Sequence, residues 1–172
     1  MEAEGMTEIV VASFSGGKDS TAMVLRMIEK RERVDEVLFC DTGMEFPAMY
    51  DHIAKVREYV ESEGVKFTTL KGKMTFREGF IEKPIESAKY GNSYHGYGWP
   101  GMHIRWCTKH LKTEAIDKYL KGKEVVQCVG LASDEARRIE KPGNRGHRHR
   151  DRRGGGRRWR ATSLPRCWSR VR

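Results

Sequence analysis

The stretch SFSGGKDST, residues 13–21, places two glycines, a lysine, an aspartate and several hydroxyls between the apolar run IVVA and the segment AMVLRMIEK. Glycines can take backbone conformations that turn successive N–H groups toward one point, and a helix starting just beyond adds the positive end of its dipole. Gly16 and Gly17 with Lys18 therefore suit an anion, and Ser15, Ser20 and Thr21 can donate to its oxygens. A helix starting near Ser20 is expected to complete the cradle. The mononucleotide P-loop is excluded: it needs a glycine six positions before the lysine and a hydroxyl directly after it, where this chain has Ala12 and Asp19.

Three further segments carry chemistry. In HIRWCTKHLK, residues 103–112, Cys107 is flanked by Arg105, Lys109 and Lys112, and cationic neighbours favour both anion binding and a nucleophilic thiol. His103, Cys107 and His110 also fall at i, i+4 and i+7, one face of an ideal helix; with His95 as a candidate fourth ligand, that is an alternative zinc geometry. SDEARR, residues 133–138, supplies Asp134 and Glu135 for magnesium or a ribose, and Arg137 and Arg138 for a phosphate or sulfate. Asp41, Thr42 and Gly43 close an apolar run and face the same choice of ribose or metal. The segment YGNSYHGYGWPGMH, residues 90–103, reads as a loop whose Tyr94, Tyr97 or Trp99 either stacks on a base or covers a core edge.

Positioning these groups requires strands that end beside them. EIVVASF, VDEVLFCDTG, VKFTTL and EVVQCVGL read as buried strands, and STAMVLRMIEKR as an intervening helix. A second helix starts at Pro47, buries Met49, Ile53, Val56 and Val60, and stops at Gly64; a third lies near residues 108–121. Alternation of this kind predicts an α/β fold: a doubly wound, mostly parallel sheet with helices on both faces, and ligands at the carboxyl ends of its strands. Cys40 and Cys128 sit in the strands as small core residues.

SGGKDS resembles the PP-loop of the adenine nucleotide alpha-hydrolase-like superfamily. FCDTGMEFPAMYDHI, RWCTKHLK and VGLASDEARR, in that order, resemble segments of its phosphoadenosine phosphosulfate (PAPS) reductase family. The resemblance spans residues 8–140 and implies a bound adenine nucleotide, either ATP or a sulfonucleotide (PAPS or APS), with Mg2+ as a companion ion. It implies that Ser15, Gly16, Gly17, Lys18, Asp19, Ser20, Asp41, Thr42, Gly43, Arg105, Lys109, Lys112, Asp134, Glu135, Arg137 and Arg138 bind nucleotide, with Lys18, Asp19 and Cys107 as catalytic candidates. No protein metal site follows from it. The family's E-C-G-[IL]-H segment is absent, and the paired cysteines of its iron–sulfur members are Trp106 and Cys107 here, so a cluster is not expected. Sulfonucleotide reductase-type chemistry, with a thiol reductant as partner, is the first reading. An ATP pyrophosphatase that adenylates an acceptor is the second.

Residues 1–140 carry 21 Lys and Arg against 23 Asp and Glu, whereas residues 141–172 carry 12 against one. The net charge of +9 thus belongs to the tail, which lacks hydrophobic periodicity. The domain is expected to end near residue 140, C-terminally incomplete, followed by an Arg/Gly-rich tail that is disordered or out of frame. The loss would leave a sheet edge exposed. Non-catalytic binding of nucleic acid through that tail is the third functional reading. The absence of paired cysteine motifs and of any membrane-length apolar run gives a cytoplasmic location as the expectation, and Met6 is an alternative start.

Overall fold

The structure, a computed structural model, describes residues 8–86, 93–102 and 104–131, together with the backbone of 145–150 and 156–163. Asp134, Glu135, Arg137 and Arg138 lie outside the described residues, as does His103. In chain order the elements begin with β1 (Ile9–Phe14), α1 (Lys18–Glu29), β2 (Glu36–Asp41), α2 (Pro47–Ser62) and β3 (Lys66–Lys71). A π-helical turn Glu78–Glu82 leads to β4 (Pro84–Glu86) and β5 (Ser93–His95); another, Thr108–Thr113, runs into α3 (Glu114–Tyr119). Then come β6 (Val125–Leu131), β7 (Arg145–Arg150) and β8 (Gly156–Ser163).

The main sheet has the order β3-β2-β1-β6-β8-β7. β1 pairs in parallel with β2, Phe14 opposite Phe39, and with β6, Ser13 opposite Val129. The chain first builds outward on one side of β1 and then returns to its other side, which makes the fold doubly wound. Strand order therefore reverses between β1 and β6, the place where such sheets leave a crevice.

The chain divides into two compact units: Met1–Phe39, Ala48–Thr68 and Leu120–Arg172 form the first, and Cys40–Pro47 with Thr69–Tyr119 the second. In the first, alternate residues of the strands, including Ala12, Phe14, Val37, Phe39, Val126 and Cys128, meet Met23, Val24 and Met27 of α1 and Ile53, Val56 and Val60 of α2 in one core. The period of two in the strands and the helical stripe in α2 match at this interface. Gly64, at φ +77°, ends α2's last turn, where Val65 N–H donates to Val60 O at 3.1 Å. The buried Glu36 accepts from Lys66 Nζ at 2.9 Å and from the Thr68 hydroxyl, joining β2 to β3.

The second unit is built on aromatics. Phe76 packs at 5.2 Å from Trp106 and at 5.9 Å, edge-on, from Trp99; Trp106 Nε1–H donates to Gly98 O at 2.9 Å. The glycine- and aromatic-rich segment expected as a loop contributes β5, which pairs antiparallel with β4. Tyr97 stacks on Trp106, whereas Trp99 meets Phe76 and Phe80 edge-on while remaining 70% exposed, and Tyr94 is 50% exposed.

The span read from composition as a disordered or out-of-frame tail contains β7 and β8. β8 pairs in parallel with β6 from Val125 opposite Arg157 to Leu131 opposite Ser163, and β7 pairs antiparallel with β8. β6 is thus flanked by β1 and β8. Ladder pairing is made by backbone groups, which a count of charges does not register.

Met23, 2% exposed, should cost about 2–5 kcal/mol of unfolding free energy when replaced by alanine, whereas Leu25→Ala, at a 37% exposed position of the same helix, should stay within about 0.5 kcal/mol. Urea unfolding followed by circular dichroism measures both, and equal costs would contradict this placement of the core.

Candidate functional site

The turn from β1 into α1 is set by two glycines with different tasks. Gly16 has φ +78°, and a Cβ there would lie 2.7 Å from Met49 Sδ and 3.3 Å from Ile53 Cγ1, both on α2. Only glycine satisfies the backbone and the space together. Gly17 is in an extended conformation, φ −74° and ψ 160°, and acts as the N-cap of α1. The helix consequently starts at Lys18, two residues earlier than expected, so Lys18, Asp19 and Ser20 form its first turn.

Internal hydrogen bonds hold this shape. Gly17 O accepts from Thr21 N–H at 3.0 Å, Ser20 Oγ–H at 2.9 Å and Thr21 Oγ1–H at 3.0 Å. Ser15 N–H donates to Ser20 Oγ at 3.2 Å, the Ser15 and Ser20 hydroxyl oxygens are 3.0 Å apart, and Thr21 Oγ1 lies 3.0 Å from His52 Nε2. Ser20 is buried, and its hydroxyl is bonded inside the loop. Ser15 and Lys18 are exposed. No side chain caps α1, which leaves its leading N–H groups to an external acceptor. From β6, Gly130 completes the cradle: a Cβ there would fall 2.7 Å from Asp19 O and 3.1 Å from Ser20 Cα.

The remaining predicted residues that the structure describes lie in the second unit. Asp41 Oδ1 accepts from Gly43 N–H at 2.8 Å, Gly43 has φ +72°, and Lys71 Nζ is 3.9 Å from Asp41 Oδ2. These residues form an Asx-type turn, and Asp41, Thr42 and Gly43 line one side of a cavity of about 520 Å3 whose other wall runs from Lys71 to Glu78. Arg105 and Lys109 are exposed and Lys112 is half-buried; they line neither this cavity nor the second one of the unit.

Of the His–Cys–His stripe, His103 lies outside the described residues. Residues 104 and 105 precede the helix, and 108–113 are π-helical, so the 3.6-residue period assumed for an i, i+4, i+7 face does not apply. His110 instead places Nδ1 3.0 Å from Glu114 Oε1, and that hydrogen bond holds the Glu114 carboxyl below the usual carboxylate range. Among the described residues no group of three His, Cys, Asp or Glu side chains could hold a metal ion. Cys107 is half-buried, while Cys40 and Cys128 are buried as expected of core residues. Burial pushes the Cys40 thiol up, with Lys112 opposing in part.

Sequence reasoning missed the supports of the loop. Met49 was read only as a core residue, His52 not at all, and Gly130 was one unremarked letter of a strand. Its signal was a glycine inside an otherwise continuous apolar run, which marks close backbone approach.

A family model described as phosphoadenosine phosphosulfate reductase domain matches residues 9–146. Curated relatives include the uncharacterized proteins MJ0066, 29% identical over 136 residues, and MJ0973, 34% identical over 128, both from Methanocaldococcus jannaschii. These alignments cover 77% and 74% of this chain but 25% and 26% of those proteins. An uncharacterized nin region protein, ORF290 of Escherichia phage lambda, is 29% identical over 156 residues, covering 80% of this chain and 53% of that protein. The chain thus spans a quarter to a half of the length of these relatives.

Gly130→Val should displace the first turn of α1, because the added atoms meet backbone rather than a flexible side chain. The expected outcome is a folded protein of lower stability whose Lys18 and Ser20 amide resonances shift more than those of α2. Unchanged loop resonances would overturn the close approach. Iodoacetamide should modify Cys107 before Cys40 or Cys128, read by peptide mass mapping, since the latter two are buried.

Proposed function

The chain belongs to the phosphoadenosine phosphosulfate reductase domain family, and from that premise we propose that it binds an adenine nucleotide through the loop Ser15–Ser20. The observation that carries this reading is the uncapped start of α1, reached through the left-handed Gly16. The leading amides of α1 supply directional donors and the helix dipole a fixed positive potential; Lys18 adds a mobile full charge. A phosphate or sulfate group is the ligand that uses all three. The sulfonucleotide is the proposed substrate, since the family that matches is named for it. With an ATP-type substrate the same donors would stabilise charge growing on a leaving pyrophosphate.

A cluster-dependent reduction does not fit these residues. Trp106 stands where the related reductases have the first of two adjacent cysteines, and it is 4% exposed, hydrogen-bonded to Gly98 O and packed against Gly79. Its role is to fill the second unit's core. A thiol-dependent reduction through Cys107 is the redox route these residues leave, and adenylation needs no thiol.

Lys18→Ala should weaken PAPS or ATP binding by about tenfold or more, because a charge-assisted hydrogen bond is worth roughly 1.5–3 kcal/mol. Lys18 is exposed, so the variant should keep its unfolding midpoint. Calorimetry giving equal affinities for both proteins would refute the site. Product analysis then separates the chemistries: sulfite from PAPS with a thiol donor supports the reductase reading, whereas AMP and pyrophosphate from ATP support adenylation.

A further inference from the structure

Within the second unit, a cavity of about 650 Å3 is lined by both signs of charge: Lys73 and Lys83 against Glu78, Glu82 and Glu114, with His110 between them in type. Its carboxylates are each engaged on one side. Glu78 Oε2 accepts from Thr75 N–H at 2.6 Å while Glu78 N–H donates to Thr75 Oγ1 at 3.2 Å, a capping box at the start of the π-helical turn. Glu82 Oε1 accepts from Arg77 Nε at 2.6 Å, and Glu114 from His110 Nδ1 at 3.0 Å. The lysines are differently placed. Lys83 Nζ sits 5.3 Å from the centroid of the Tyr97 ring, and among the described residues Lys73 makes no ion pair.

His110 is held from several directions. Its ring stacks on Tyr97 at 5.4 Å and 20°, Tyr97 stacks on Trp106 at 5.6 Å and 24°, and Nδ1 is engaged by Glu114. The bond to Glu114 engages Nδ1, so Nε2 is the ring's remaining polar atom. A surface ion pair of a helix does not need its imidazole stacked on a ring that is itself backed by another. Immobilised, oriented imidazoles backed by a carboxylate are what ligand sites use.

A dianion would be repelled by three carboxylates, and a simple cation by two lysines. A ligand carrying one charge of each sign fits the lining. We propose that this cavity binds a small zwitterion of the amino-acid type. Lys73 and Lys83 take its carboxylate, and the second carboxylate oxygens of Glu78 and Glu82 take its ammonium beside the His110 ring. Met74, also on the wall, offers an apolar surface to its side chain. This site concerns the second unit alone and stands apart from the nucleotide reading.

The test titrates the full chain with L-methionine, with N-acetyl-L-methionine, which keeps only the negative charge, and with L-methioninamide, which keeps only the positive. Affinity is read by calorimetry and engagement by the His110 imidazole signals in NMR. The expected result is saturable binding of L-methionine with a shift of the His110 signals, and affinities lower by about tenfold or more for each single-charge analogue. Lys73→Gln, at an exposed position, should leave the unfolding midpoint unchanged and weaken L-methionine by about tenfold; Lys83→Gln provides the second variant. No binding at about 10 mM, equal affinity for the three compounds, or binding that leaves His110 unshifted would each overturn the proposal.

Discussion

Everything proposed for the first unit depends on how closely α1 can approach the backbone of β6. The first turn of the helix passes over Gly130 with no room for a Cβ, and the loop before it passes α2 with no room for one at Gly16. Two absent methyl groups therefore fix where the amides of α1 emerge. Fixing them matters because an anion site made of backbone dipoles gains its strength from preorganisation: donors already aimed need no reorganisation when the charge arrives. The serine and threonine hydroxyls consolidate this arrangement by converging on Gly17 O, which would otherwise carry the helix's first carbonyl bond alone.

The sheet order explains why this approach occurs here. β1 is central, flanked in parallel by β2 and β6, and the chain leaves it in one direction and returns on the other. The helix following β1 must then lie across β6 as well as β1, and glycine in β6 is the local consequence. Such a strand is otherwise a poor place for glycine, since it weakens the ladder and packs nothing. Its presence makes sense only with α1 above it.

The first unit was largely legible in the sequence because its signals are local and repetitive. Continuous apolar runs marked the buried strands; Pro47, the Met49–Val60 stripe and Gly64 delimited α2. The function of Ser20 was not legible. Its hydroxyl turns inward onto Gly17 O, an orientation that sequence spacing does not reveal. The helix start was missed for a related reason: Lys18 and Asp19 look like loop residues by charge, yet both suit a first turn once Gly17 is extended. β7 and β8 escaped because their pairing is a backbone property in a segment whose side chains announce only charge.

The second unit shows the opposite balance. Its pairs are short-range, Thr75 with Glu78, Arg77 with Glu82 and His110 with Glu114, but the π-helical turns shift every face that a 3.6-residue period would assign. One such turn carries His110, which pairs with Glu114 and stacks on Tyr97. The sign of the linkage follows from that bond. A carboxyl held below its unfolded value stabilises the fold above the unfolded value, and the contribution disappears as pH falls through the folded one. Because the Glu114 side chain is 38% exposed, solvent screening keeps this contribution small. The pair's main effect is therefore orientation: it engages Nδ1 of the imidazole, while Tyr97, itself stacked on Trp106, sets the plane of the ring.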